Sequence, residues 1–188
     1  MTTVYFVRHA QPNYANHDDW ARELTKKGVE DSKRVTRFLW DKGVDAVFSS
    51  PYKRAVDTVR DFAEKKGLEI RLETDFRERK IDSVWIEDYA SFCESQWKDF
   101  DYKRADGETL REVQARNIAA LERLLEEYRD KTIVVGSHGT ALSTIINHYD
   151  ERFGHAEFER IRKLMPLIVR FSFQGADCTE IQTFNLFE

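Results

Sequence analysis

The sequence is poor in the residues that mark several structural classes. It has only two cysteines, Cys93 and Cys178, far apart and in no C-x-x-C pair. That excludes a disulfide scaffold and a zinc ribbon, and leaves idle or buried thiols in a reducing cytoplasm. Three prolines and eight glycines in 188 residues never cluster into a linker. With no repeat or low-complexity tract, residues 1–188 read as a single domain. There is no block of Lys and Arg either: 30 basic residues against 34 acidic ones leave a net charge of -4. This balance argues against nucleic-acid or anionic-membrane partners, but not against a small anion held by a few local arginines. Long apolar runs are missing as well. Val4 to Val7 runs straight into Arg8, too short for a signal core. Met165 to Phe173 is broken by Pro166 and Arg170, so it does not span a bilayer. The expectation is a cytoplasmic protein without a membrane partner.

What is present supports a folded core. Aromatic residues make up 13% of the chain, too many for a disordered segment, although the mean hydropathy is -0.63. A chain of this length buries roughly 70% of its unfolded surface. Strand and helix patterns alternate. Thr3 to Val7 reads as a buried strand, and Thr25 to Lys42 as a helix stopped by Gly43. Asp45 to Ser49 reads as a second strand. Ser50 and Pro51 then stand where the cap and first residue of a helix belong, and that helix closes at Lys65-Lys66-Gly67. Leu68 to Leu72 is a weaker strand. Thr109-x-x-Glu112 forms a capping box that opens a helix to about Tyr128. Thr132 to Gly136 reads as a strand and Thr140 to His148 as a helix. Leu167 to Phe173 and Glu180 to Phe187 read as late strands that pair antiparallel at a sheet edge. The rhythm predicts an α/β fold, a three-layer sandwich with a mostly parallel central sheet flanked by helices. Residues 76–106, with Trp85, Tyr89, Phe92, Trp97, Phe100 and Tyr102, break the rhythm and read as a helical insertion. It serves either as a lid or as packing for a side core.

Three strands end in unusual polar groups: Arg8-His9, Ser49-Ser50 followed by Arg54, and Ser137-His138-Gly139. In an open α/β sheet ligands bind outside the carboxyl ends of the strands. Arg8, His9, Arg54 and His138 therefore converge on one crevice if the sheet is parallel. A lone His or Arg at a strand end is usually a cap, but four at three equivalent positions are hard to assign to chance. Guanidiniums match phosphate oxygens, and amides near Gly139 and Thr140 favour an anion too. A neutral imidazole can attack phosphorus while a second one donates to the phosphoryl oxygens, and an acid must protonate the leaving oxygen. Two histidines without a third ligand at a recognisable spacing do not make a metal site. Arg77, Arg79 and Lys80 read either as a solvated charge run or as a contact for a second anionic group on the substrate.

These residues carry a resemblance. Val7-Arg8-His9-Ala10 resembles the R-H-G signature of the histidine phosphatase superfamily, the phosphoglycerate-mutase-like group, with Ala10 in place of glycine. Leu24-Thr25-x-x-Gly28, Ser49-Ser50-Pro51-x-x-Arg54-Ala55-x-x-Thr58, Gly107-Glu108-Thr109 with Arg116, and Ser137-His138-Gly139 are similar to its further landmarks, in family order. The resemblance implies a metal-independent, cofactor-free phosphomonoester hydrolase acting on a small phosphorylated metabolite. His9 would be the phosphoryl-accepting nucleophile, and Arg8, Arg54 and His138, with Gly139, the phosphate pocket. The general acid would be Glu78, in Phe76-Arg77-Glu78, with Asp75 and Asp82 as rivals because the family's following glycine is missing. The family's pocket asparagine falls at Ala15, so Asn13 or Gln11 is expected to fill the rim. A phosphoglycerate mutase using the same residues is the runner-up, disfavoured because such mutases are typically longer. A catalytically idle phospho-binding module is the reading from another class. Neither the metabolite nor an oligomeric state is readable.

Overall fold

The computed structural model describes residues 1–188. Its strands are β1 (Thr2–Arg8), β2 (Ala46–Ser49), β3 (Ile70–Leu72), β4 (Thr132–Ser137), β5 (Leu167–Gln174) and β6 (Asp177–Asn185). They form one six-stranded sheet in the order β3-β2-β4-β1-β5-β6. The pairs β2–β3, β2–β4 and β1–β4 are parallel, and β5 runs antiparallel to both β1 and β6. The late strands therefore close the sheet edge as a hairpin, as their sequence predicts. Its tight turn has Gly175 at φ 64°, a region L side chains rarely adopt.

Helices α1 (Lys26–Leu39) and α2 (Lys53–Lys66) cover one face, and α4 (Leu110–Glu127) and α5 (Gly139–Tyr149) the other. Alternation along the strands feeds both layers. Val4 and Phe6 of β1, with Ile133 and Val135 of β4, point into the larger core. Tyr5, Val7 and Val134 point into the smaller one with Val35, Val59 and Phe62. The Thr109 hydroxyl accepts from the Glu112 amide and the Glu112 carboxylate accepts from the Thr109 amide, so the expected capping box exists. Gly67 ends α2 in the left-handed conformation at φ 65°.

Three local expectations need correction. Helix α2 begins at Lys53 with Tyr52 as its cap, not at Pro51. The Ser50 hydroxyl is engaged with His138 while accepting from the Tyr52 amide, so the chain bends once more before the helix starts. The insertion is only partly helical. It holds one helix, α3 (Tyr89–Lys98), whereas residues 77–88 form an irregular loop. That loop is tied down by side chains: the Arg116 guanidinium donates to the carbonyls of Asp75, Arg77 and Glu78. Gly107 also packs so closely on Ile81 that a Cβ there would stand 2.1 Å from the Ile81 carbonyl oxygen. Finally α6 (His155–Ile161) has no counterpart in the sequence reading, being only seven residues long. It buries Phe158 against Trp97 of α3. No helix is long and apolar enough to cross a membrane.

Candidate active site

Sheet register decides what meets at the carboxyl edge. Arg8 pairs with Ser137, and Ser49 with Gly136, so the ends of β1, β2 and β4 lie side by side. The residues just beyond them, His9, Ser50 and His138, are buried together. A cleft of about 770 Å³ opens above them. Arg8, His9, Arg54, Glu78 and Gly139 line it, whereas His138 lies beneath, fully buried. The two imidazole rings are 5.3 Å apart at an interplanar angle of 61°.

Each histidine is oriented by a partner. His9 Nδ1 lies 2.8 Å from the Ala10 carbonyl oxygen. A carbonyl only accepts, so Nδ1 carries the proton and Nε2 keeps its lone pair. His138 Nε2 lies 2.7 Å from the Ser50 hydroxyl, and its Nδ1 has no protein partner. Burial, with the charges of Arg54 and Arg8 behind it, holds His9 well below the ordinary imidazole range. His138 is lowered in the same way, by burial, then Arg54 and His9. Both rings are therefore neutral near pH 7.

The guanidiniums are fixed from behind. Arg8 donates through one terminal nitrogen to the carbonyls of Ile161 and Leu164, each at 2.9 Å, and its Nε has no protein partner. Gly139 permits this placement: a Cβ there would lie 3.1 Å from Arg8 Nε. Arg54, 3% exposed, donates to the Asp19 carbonyl at 2.7 Å, with the Asp19 carboxylate at 3.5 Å. Arg22 donates to the same carboxylate at 3.0 Å.

Of the three acids considered, Glu78 and Asp82 line the cleft and Asp75 does not. Asp75 faces Arg77 and Arg123 instead. Asp82 accepts from Arg104 at 2.5 Å and from the Ser83 amide, and chiefly the Arg104 bond holds it below the usual carboxylate range. Glu78 sits on the start of α5, where its oxygens accept from the Thr140 and Ala141 amides, each at 2.9 Å. This corrects the expectation at Thr140: a carboxylate of the chain itself already holds that amide, though neither of its bonds involves the amide of Gly139. Asn13 is also displaced from its expected place. Its amide donates to Glu23 at 2.6 Å, and Gln11 accepts from Thr25, so neither lines the cleft.

The sequence reading missed Tyr14, His17, Asp19 and Arg22, which reach the cleft from the loop between β1 and α1, and Arg162 beyond α6. His17 stacks on Trp85 with ring centroids 3.9 Å apart and planes 6° apart, joining that loop to residues 77–88 across the mouth. Nothing local in the sequence marks these positions, because the tertiary path of two irregular segments brings them there.

The model of the histidine phosphatase superfamily (branch 1) matches residues 4–185, and the chain belongs to that family. Phosphoglycerate mutase-like protein 4 of Arabidopsis thaliana is 28% identical over 134 residues, covering 65% of this chain and 58% of that protein. Phosphoserine phosphatase 1 of Hydrogenobacter thermophilus is 26% identical over 153 residues, covering 73% of this chain and 71% of its own. A phosphoserine phosphatase of Entamoeba histolytica, solved with 3-phosphoglyceric acid, superposes over 100% of both chains with a TM-score of 0.78 at 20% identity. That likeness shows the shared fold.

Proposed function

We propose that the protein is a phosphomonoester hydrolase that works through a phosphohistidine on His9, on a small phosphorylated metabolite. The observation that carries this reading is the bond from His9 Nδ1–H to the Ala10 carbonyl, in a ring that stays neutral beside Arg8 and Arg54. It leaves an unprotonated Nε2 next to two guanidiniums suited to a phosphoryl group. Nε2 attacks phosphorus and the P–O ester bond breaks, its electron pair leaving on the ester oxygen. Glu78, entering this step in its protonated form, gives its proton to that oxygen and is left as the carboxylate. Arg8 and Arg54 balance the charge on the equatorial oxygens, and the neutral ring of His138 donates a hydrogen bond to them. Water activated by Glu78 then attacks the phosphohistidine, the N–P bond breaks, and inorganic phosphate leaves.

The test is a labelled aryl phosphate, quenched in base because phosphohistidine is acid-labile. Label is expected on His9, with inorganic phosphate as the product. Label on a serine, or full activity in His9→Ala, would overturn the mechanism. Transfer of label to a second phosphoglycerate-type acceptor in preference to water would mark a mutase.

A further inference from the structure

Ser50 takes no part in the proposed reaction, yet its hydroxyl is the only group that holds the ring of His138 by a hydrogen bond. Its own position at the end of β2 is well fixed. The Ser50 amide donates to the Gly136 carbonyl of β4 at 2.9 Å, and the Ser49 hydroxyl donates to the Ser50 carbonyl at 2.8 Å. Two groups meet the Ser50 hydroxyl oxygen: the Tyr52 amide, donating at 3.2 Å, and His138 Nε2 at 2.7 Å.

Counting donors and acceptors locates the protons. A hydroxyl has one proton to give and two lone pairs that accept. The Tyr52 amide engages one lone pair. The hydroxyl proton has one acceptor in reach, which is His138 Nε2. If Nε2 carried the ring proton instead, the Ser50 proton and the Nδ1 lone pair would both lack partners. Neither residue has any exposed surface, so water does not make up the loss. The assignment with fewer orphans has Ser50 donating to Nε2, which puts the ring proton on Nδ1. One orphan is left, the Nδ1–H itself. A buried donor without a partner calls for an explanation, and a ligand oxygen supplies one.

The two histidines then share one tautomer and present opposite ends of it. His9 is anchored through its Nδ1–H on the Ala10 carbonyl and offers a lone pair. His138 is anchored through its Nε2 lone pair on Ser50 and offers a proton, with the ring centroids 5.3 Å apart. A phosphoryl group needs both, a lone pair for phosphorus and a donor for its oxygen.

We infer that Ser50 is a positioning residue whose hydroxyl proton fixes His138 in the tautomer that can donate to a phosphoryl oxygen. The inference rests on the hydrolase reading, which places that oxygen at His138. The test is spectroscopic first, because long-range proton–nitrogen spectra of histidine-labelled protein separate protonated from bare ring nitrogens. The His138 signals are assigned as those missing in His138→Gln. Near neutral pH they should show a protonated Nδ1 and a bare Nε2, and inorganic phosphate should shift the Nδ1 signal. In Ser50→Ala the proton should spread over both nitrogens, and calorimetric binding of inorganic phosphate should weaken by about tenfold. Both kcat and kcat/KM should fall together by about tenfold to hundredfold, as for an interaction made mainly in the transition state. A bare Nδ1 in the unaltered protein overturns the proposal, with no variant needed. So does Ser50→Ala with an unchanged tautomer, whatever its rate, since the serine would then be structural only; so does an unchanged rate. If nothing is hydrolysed, the hydrolase reading fails, while the tautomer and the phosphate titration still decide the role of Ser50.

Discussion

At the scale of single residues, the site is a set of groups whose roles follow from what each is tied to. His9, the proposed nucleophile, is oriented by one carbonyl, and its unprotonated nitrogen is the consequence of that bond. Glu78, the proposed acid, is held beside the cleft by helix amides that fix both of its oxygens. A general acid matters most when the leaving oxygen is basic. Glu78→Gln keeps one carbonyl oxygen for the amides of α5, turns an NH2 toward the other amide, and has no proton to deliver. Phosphorylation by alkyl phosphates should slow by roughly 10²–10⁴, and phosphorylation by a nitrophenyl phosphate should slow less. Burst kinetics separate that step from hydrolysis of the intermediate, which the same substitution also slows. Equal losses on both substrates, or a leaving-group dependence that moves to Asp82→Asn, would assign the acid elsewhere. The Arg104 bond to Asp82 makes that second outcome unexpected.

At the scale of elements, the helix that follows β4 couples sheet and site. Its first residue, Gly139, packs against the Arg8 guanidinium, and its next two amides hold Glu78. Gly139→Ala tests the coupling. The new methyl would press on Arg8 at 3.1–3.3 Å, and Arg8 has little freedom because two carbonyls grip it. Gly139 is the first residue of α5, outside the helix interior where alanine gains most over glycine, so the melting temperature should stay level or fall slightly. Activity should fall regardless, by about tenfold or more in kcat/KM, because a small displacement of a positioning group is expensive in rate. A variant as active as the parent would show that Arg8 tolerates the shift. The elements themselves were largely legible: β1, β2, β4 and β5 stand within a residue or two of their sequence patterns, and the Thr109 capping box forms as expected. What failed had no periodic signal. The start of α2 depends on a hydroxyl shared with His138, and the loop 77–88 depends on Arg116, a residue of another helix. Arg8, His9, Arg54 and His138 were legible because strand ends in a parallel sheet share an edge. His17, Arg22, Arg162 and the burial of Arg79 were not, because irregular segments have no period to read.

At the scale of the whole molecule, two features of the cleft connect stability with solution conditions. Two buried imidazoles are held below their ordinary value of 6.5, burial being the main cause. Between that value and the lower folded ones, the unfolded chain binds more protons than the folded chain. Their contribution to stability is therefore complete above about pH 6.5 and declines as the pH falls toward the folded values. The second feature is a concentration of guanidiniums, Arg8, Arg54 and Arg79, each at most 6% exposed, with few acids opposite them. An anion that binds only the folded state stabilises it by mass action, by about 2.7 kcal/mol at a hundredfold excess over its dissociation constant. Inorganic phosphate should thus raise the melting temperature above that in chloride of equal ionic strength, by several degrees for a chain of this size. The imidazoles alone predict a melting temperature that drops below pH 6.5. With phosphate present the drop should be smaller, because a bound dianion favours protonated His9 and His138 and so lifts their folded pKa values toward the ordinary one. Thermal melts between pH 5 and 8, in phosphate and in chloride, check both signs. Identical curves in the two anions would mean that the cleft does not bind phosphate, and Arg54→Ala, which removes one of its cations, should reproduce that result.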